Sequence, residues 1–161
     1  VTSDGAGYAD YAWARLLDST QAEVALLFTA RTAPSGSIVP GFDMPAPTAT
    51  LTPSSVPIIG GAPLWSALGS DSGSCYDGGC GYTGWVQSNY QIAAAGNYIL
   101  EFGVTNWQDT NYDSGLAFDG ITIGGVVIGD PGNNVPEPAM LALLGLGFAG
   151  AAVAGRRRKA A

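Results

Sequence analysis

The sequence predicts an all-β chain: an antiparallel β-sandwich followed by one C-terminal transmembrane helix. Three observations predict it. Tyr98, Leu100, Phe102 and Val104 alternate with Ile99, Glu101, Gly103 and Thr105, the period of a strand with two distinct faces. Several other short apolar runs are separated by Gly-rich turns, a pattern of sandwiches rather than helix bundles. Ala139 to Gly155 is an uncharged apolar run of 17 residues, closed by Arg156, Arg157, Arg158 and Lys159.

From the N-terminus, Ala9 to Leu17 alternates, with Tyr11, Trp13, Arg15 and Leu17 on one face and Ala12, Ala14 and Leu16 on the other. Asp18, Ser19 and Thr20 read as a turn, and Gln21 to Arg31 alternates again. Together these predict an antiparallel hairpin. Ala, Leu, Arg and Glu are also good helix formers, so a helix is the competing reading, and the β character downstream favours strands. Thr32 to Pro63 holds seven prolines, which rule out helix interiors and central strands. It reads as a long surface excursion or an unstructured spacer, with a short extended piece around Val56 to Ile59. Leu64 to Gly84 is a Gly/Ser/Asp loop. Trp85 to Ile92, Tyr98 to Thr105, Leu116 to Ile123 and Val126 to Ile128 read as strands, with the polar loop Asn106 to Gly115 between the second and third.

The apolar run would span roughly 25 Å as a helix, slightly short of a ~30 Å hydrocarbon core. In lipid it must be helical, because no backbone polar group can stay unpaired there. The four basic residues behind it belong on the cytoplasmic side, which puts the body outside. Ahead of it, Val135, Pro136, Glu137 and Pro138 form a stiff extended step suited to the cleft of a processing enzyme. The expected layout is an ectodomain at 1–130, a linker at 131–138, a transmembrane helix at 139–155 and a basic cytoplasmic tail at 156–161.

This tail resembles the PEP-CTERM sorting signal of bacterial exported proteins. The resemblance implies recognition by an exosortase, a membrane cysteine protease, with cleavage near Val135 to Pro138. It also implies a Gram-negative host with an exopolysaccharide or biofilm matrix. On that reading the precursor is anchored in the inner membrane, and the product goes to the cell surface or beyond. The stretch GNYILEFGVTN and the later YDSGLAFDGITI resemble the closing strands of jelly-roll-like domains common in such proteins. That group supplies a fold and an address, not an activity. A sorting tail requires prior export, so a signal peptide and at least one further strand are expected upstream of Val1.

Charge narrows the partners. Of thirteen acidic residues only Glu137 lies in the tail, whereas four of the six basic ones do. The exported body is therefore strongly acidic, which argues against nucleic acid and anionic lipid surfaces. There is no histidine, so Ser-His-Asp and Cys-His nucleophile systems are excluded and a zinc site is poorly served. Glu101 with an Asp of the 109–119 region is a formal carboxylate pair, but Glu101 reads as an exposed strand residue, and the expectation is a non-enzyme. Cys75 and Cys80, in an exported chain, are expected to form a disulfide.

Two weaker site readings remain. Asp109, Asn111 and Asp113, with Asp119 beyond, could direct oxygens at calcium; the competing reading is an Asx-rich loop bonding its own backbone. Trp65 and Trp107, both in loops, are candidate sugar-stacking residues, while Trp13 and Trp85 read as strand residues of the core. The expected role is structural, in an exopolysaccharide or biofilm matrix, with a carbohydrate-binding module as the alternative.

Overall fold

The computed structural model describes residues 2–3, 9–32, 36–75, 80–107 and 111–128. In chain order the strands are β1 (Thr2–Ser3), β2 (Tyr11–Asp18), β3 (Glu23–Arg31), β4 (Ser37–Val39), β5 (Thr50–Thr52), β6 (Val56–Pro57) and β7 (Ile59–Gly60). After a short 3-10 helix at Ser66–Asp71 come β8 (Gly81–Tyr82), β9 (Gln87–Asn89), β10 (Tyr98–Thr105), β11 (Thr122–Ile123) and β12 (Val126–Val127). All pairings are antiparallel. Of the expected β-sandwich, the described residues show the antiparallel strands but no closure of two sheets: one sheet β10-β2-β3, a smaller sheet β1-β8-β7 and the pairs β4-β6, β5-β9 and β11-β12. The chain divides into two compact units, 1–117 and 118–161.

The hairpin expected at the N-terminal end is present as β2 and β3, and β10 joins it on the other side. Asp18 builds the turn. Its Oδ1 accepts the Thr20 hydroxyl at 2.6 Å, the Thr20 N–H at 2.7 Å and the Ala22 N–H at 3.1 Å. Gln21 takes a left-handed φ of 67°, closing a loop too long for a two-residue turn. One facing differs from the sequence reading. Leu16 and Leu17 are both buried, and the pairing with β3 shifts register between them, with Val24 as the extra residue on β3.

The Pro-rich segment is the largest departure from expectation. It is not a surface excursion. Ile38, Val39, Leu51 and Val56 from this segment form the buried cluster together with Ala30 of β3, and Phe28, Ile58 and Val86 pack against them. Prolines fit because the strands here are only two or three residues long and pair one-to-one, so few ladder donors are needed. Thr48 fastens the segment to the edge of β3, its N–H and hydroxyl donating to the Leu26 carbonyl at 2.8 and 3.1 Å, and β9, the partner of β5, adds a bond from the Ser88 hydroxyl to the Leu27 carbonyl at 2.6 Å. Gly41 N–H donates to Thr29 Oγ1 at 3.0 Å inside the core.

Three other expectations need correction. The strand read at Trp85 to Ile92 is limited to β9, since Trp85 itself is 72% exposed and off the sheet. The loop read at 64–84 contains the 3-10 helix and β8. Of the strand read at Leu116 to Ile123 only Thr122 and Ile123 are paired, so Asp119 lies in a loop rather than mid-strand. Within the second unit, β11 and β12 form a tight hairpin through Gly124 and Gly125. Both glycines have positive φ, 58° and 81°, which a two-residue turn of this hand requires. Among the described residues no helix is long and apolar enough to cross a membrane. The expected transmembrane helix at 139–155 lies outside them.

Candidate functional site

Two surfaces of the first unit concentrate chemistry-bearing side chains. The first is the outer face of β10-β2-β3. Trp13 sits directly opposite Gly103 of β10, and a Cβ at that position would collide with the indole. The glycine lets the ring lie across the strand. Tyr11 lies beside it, with ring centroids 5.8 Å apart, and on its other side stands Trp107 at 6.2 Å. These separations are in the range of attractive tilted ring pairs. Next in the row, Arg15 and Glu101 are cross-strand partners, and Arg15 Nε donates to Glu101 Oε1 at 2.7 Å. Trp13 Nε1 donates to the same oxygen at 3.4 Å, and Arg15 Nη1 stands 3.6 Å from Glu23 Oε2.

The hydrogen bond from Arg15, then that from Trp13, holds the Glu101 carboxyl below the usual range. The same bond raises Arg15. A glycoside general acid needs a carboxyl raised above its ordinary value, and Glu101 is displaced the other way.

One residue governs how the 106–115 loop meets this face, and the sequence reading missed it. Asp10 is buried at the entry to β2. Its Oδ1 accepts Trp107 N–H at 2.6 Å, and its Oδ2 accepts the Ser114 hydroxyl at 2.7 Å. Its carbonyl accepts Thr32 N–H at 2.9 Å. Asn106 Oδ1 adds a bond from Ser114 N–H at 2.9 Å. The available signal was an acidic residue set between Ala9 and Tyr11 in an otherwise apolar strand entry.

The second surface is an open cleft of about 580 Å3 lined by Pro63, Leu64, Trp65, Tyr82, Trp85 and Gly115, among others. Trp65 is half-buried. Its N–H donates to Ser72 Oγ at 3.0 Å, and its ring lies against Gly115, where a Cβ would clash with it. Leu68 N–H returns to the Trp65 carbonyl at 3.0 Å, and Asp113 N–H donates to Asp71 Oδ2 at 2.9 Å. Tyr82 stands on β8, the middle strand of its sheet. Cys80, buried just before β8, is bonded to Cys75, with Cα atoms 5.9 Å apart.

The sequence-predicted residues therefore separate. Trp65 lines the cleft, whereas Trp107, 44% exposed, belongs to the aromatic row. Trp85, assigned to the core, is the most exposed of the tryptophans in the cleft and the row. Asn111 and Asp113 are exposed on their loop, and Asp109 lies outside the described residues. Asp119, in the second unit, accepts Gly120 N–H at 2.6 Å. Among the described residues no group of three or more carboxylate or thiol side chains converges as a metal site would. Val135, Pro136, Glu137, Pro138, Arg156, Arg157, Arg158 and Lys159 all lie outside the described residues.

Residues 134–159 match the family model of the PEP-CTERM protein-sorting motif. No curated protein and no solved structure matches the chain. The C-terminal signal implies an exported protein and processing by an exosortase-type protease.

Proposed function

We propose that this chain is the precursor of a surface or matrix protein, held for a time in the inner membrane by residues 139–155 and released by cleavage near Pro136 to Pro138. The observation that carries the reading is the match of residues 134–159 to the sorting motif. Three physical features support it. The apolar run is slightly short for a permanent span, which suits a temporary anchor. The cluster Arg156 to Lys159 fixes the orientation with the body outside. The body itself carries a disulfide and a strongly acidic composition, both in keeping with an exported protein.

The delivered body acts structurally, in exopolysaccharide or biofilm. Fractionation of the native host tests this. The chain is expected in the inner membrane of a strain lacking exosortase, and at the cell surface or in the matrix of the parent strain. An identical distribution in both strains would overturn the reading.

A further inference from the structure

We propose that the cleft between Trp65, Tyr82 and Trp85 is a binding site for a neutral oligosaccharide. This goes beyond the sorting assignment and does not depend on it, because every residue that lines the cleft lies in the first unit.

The lining defines the ligand by what it offers and what it lacks. None of the lining residues is charged. An anion would find no counter-charge there, and the net charge of −7 would repel it. A metal cation would find no carboxylate. What the cleft does offer is three aromatic rings and three donors, Trp65 Nε1, Trp85 Nε1 and Tyr82 Oη. None of these donors has a protein partner among the described residues. An acyl chain would cover the rings but leave the donors without acceptors, which costs about 1–3 kcal/mol for each group desolvated. A pyranose satisfies both demands. Its C–H face lies flat on an indole, and its ring and hydroxyl oxygens accept the N–H and O–H groups at the rim.

The exposure of Trp85 points the same way. A side chain of this size, 72% exposed, contributes little to folding where it stands. Leu64 beside it is 87% exposed. The floor beneath is rigid: Trp65 is seated on Gly115 and tied to Ser72, Tyr82 is in the central strand of its sheet, and the Cys75–Cys80 bond closes the loop that leads into it. Pre-formed rings lose little freedom on binding, which a shallow glycan site requires.

Affinity electrophoresis tests the proposal. The full-length chain, in a detergent without a sugar headgroup, is run through gels containing soluble neutral polysaccharides (mixed-linkage β-glucan, xylan, galactomannan, dextran) and through gels containing polygalacturonate. Retention is expected on at least one neutral polymer and not on polygalacturonate. Trp85→Ala is expected to weaken that retention at least tenfold with an unchanged circular dichroism spectrum. Phe42→Ala, which removes another exposed ring (63%) outside the cleft, is expected to leave it intact. Absence of retention on all four neutral polymers would overturn the proposal, as would retention that survives both Trp85→Ala and Trp65→Ala. A concentration-dependent dimer in sedimentation that Trp85→Ala abolishes would also overturn it, by assigning the cleft to a second copy of the chain.

Discussion

Asp10 shows how much a single side chain can hold. Its two carboxylate oxygens take Trp107 N–H and the Ser114 hydroxyl, so a buried charge at the start of β2 closes a loop almost a hundred residues away in sequence. Hydrogen bonds to a charged acceptor are worth about 1.5–3 kcal/mol each. Asp10→Ala is expected to lower stability by about 2–4 kcal/mol in chemical denaturation. Asp10→Asn should cost much less, because the Ser114 hydroxyl can turn to accept from an amide. Losses below about 0.5 kcal/mol in both variants would show that Asp10 is not what closes the loop. Asp113→Ala, an exposed change that keeps the Asp113 N–H to Asp71, should alter stability by no more than about 0.5 kcal/mol.

Glu101 and Asp18 make a second prediction at the same level. Both carboxyls are lowered, Glu101 chiefly by Arg15 and Asp18 chiefly by the Thr20 hydroxyl. A carboxyl lowered in the folded state stabilises fully above its unfolded value, about 4.3 for Glu, and that contribution is lost as pH falls through the lower folded value. The melting-temperature gap between the parent and Glu101→Gln should therefore be full at neutral pH and shrink as the pH drops below about 4. A gap that widens on acidification would contradict the assignment. Arg15 is raised, so its contribution is present at every lower pH and adds no slope there.

Among the elements, what was legible in the sequence was what alternates. β10 occupies Tyr98–Thr105, the limits its pattern gives, and the β2–β3 hairpin follows the two alternating runs around Asp18. What was not legible is the Pro-rich segment. Ile38, Val39, Leu51 and Val56 are scattered singly among Pro, Ser and Thr, so no period marks them, yet tertiary packing gathers them on Ala30. Pattern reading sees local order, and this cluster is non-local. Leu51→Ala is expected to cost about 2–4 kcal/mol, as a buried cavity does, with a clear drop in melting temperature. A change below about 0.5 kcal/mol would return the segment to the status of a surface excursion. The cleft was half legible for a related reason. Trp65 stood out as a loop aromatic, but Trp85 was read as the first residue of a strand running to Ile92. Only the short extent of β9 places it outside the sheet.

Taken as a whole, the molecule couples a small β-rich, disulfide-closed body to a C-terminal address. The body offers an aromatic row braced by Arg15 and Glu101 and an uncharged aromatic cleft. The address was the most legible part of the sequence, because three physical requirements fall in order: a stiff extended step, an apolar run and a basic stop. The direct measurement is the intact mass of the chain recovered from the surface or medium of its native host. A product ending near Pro136 to Pro138, replaced by the full-length mass when exosortase is removed, is the expected result. A surface product that still carries Arg156 to Lys159 while exosortase is active would contradict the sorting assignment.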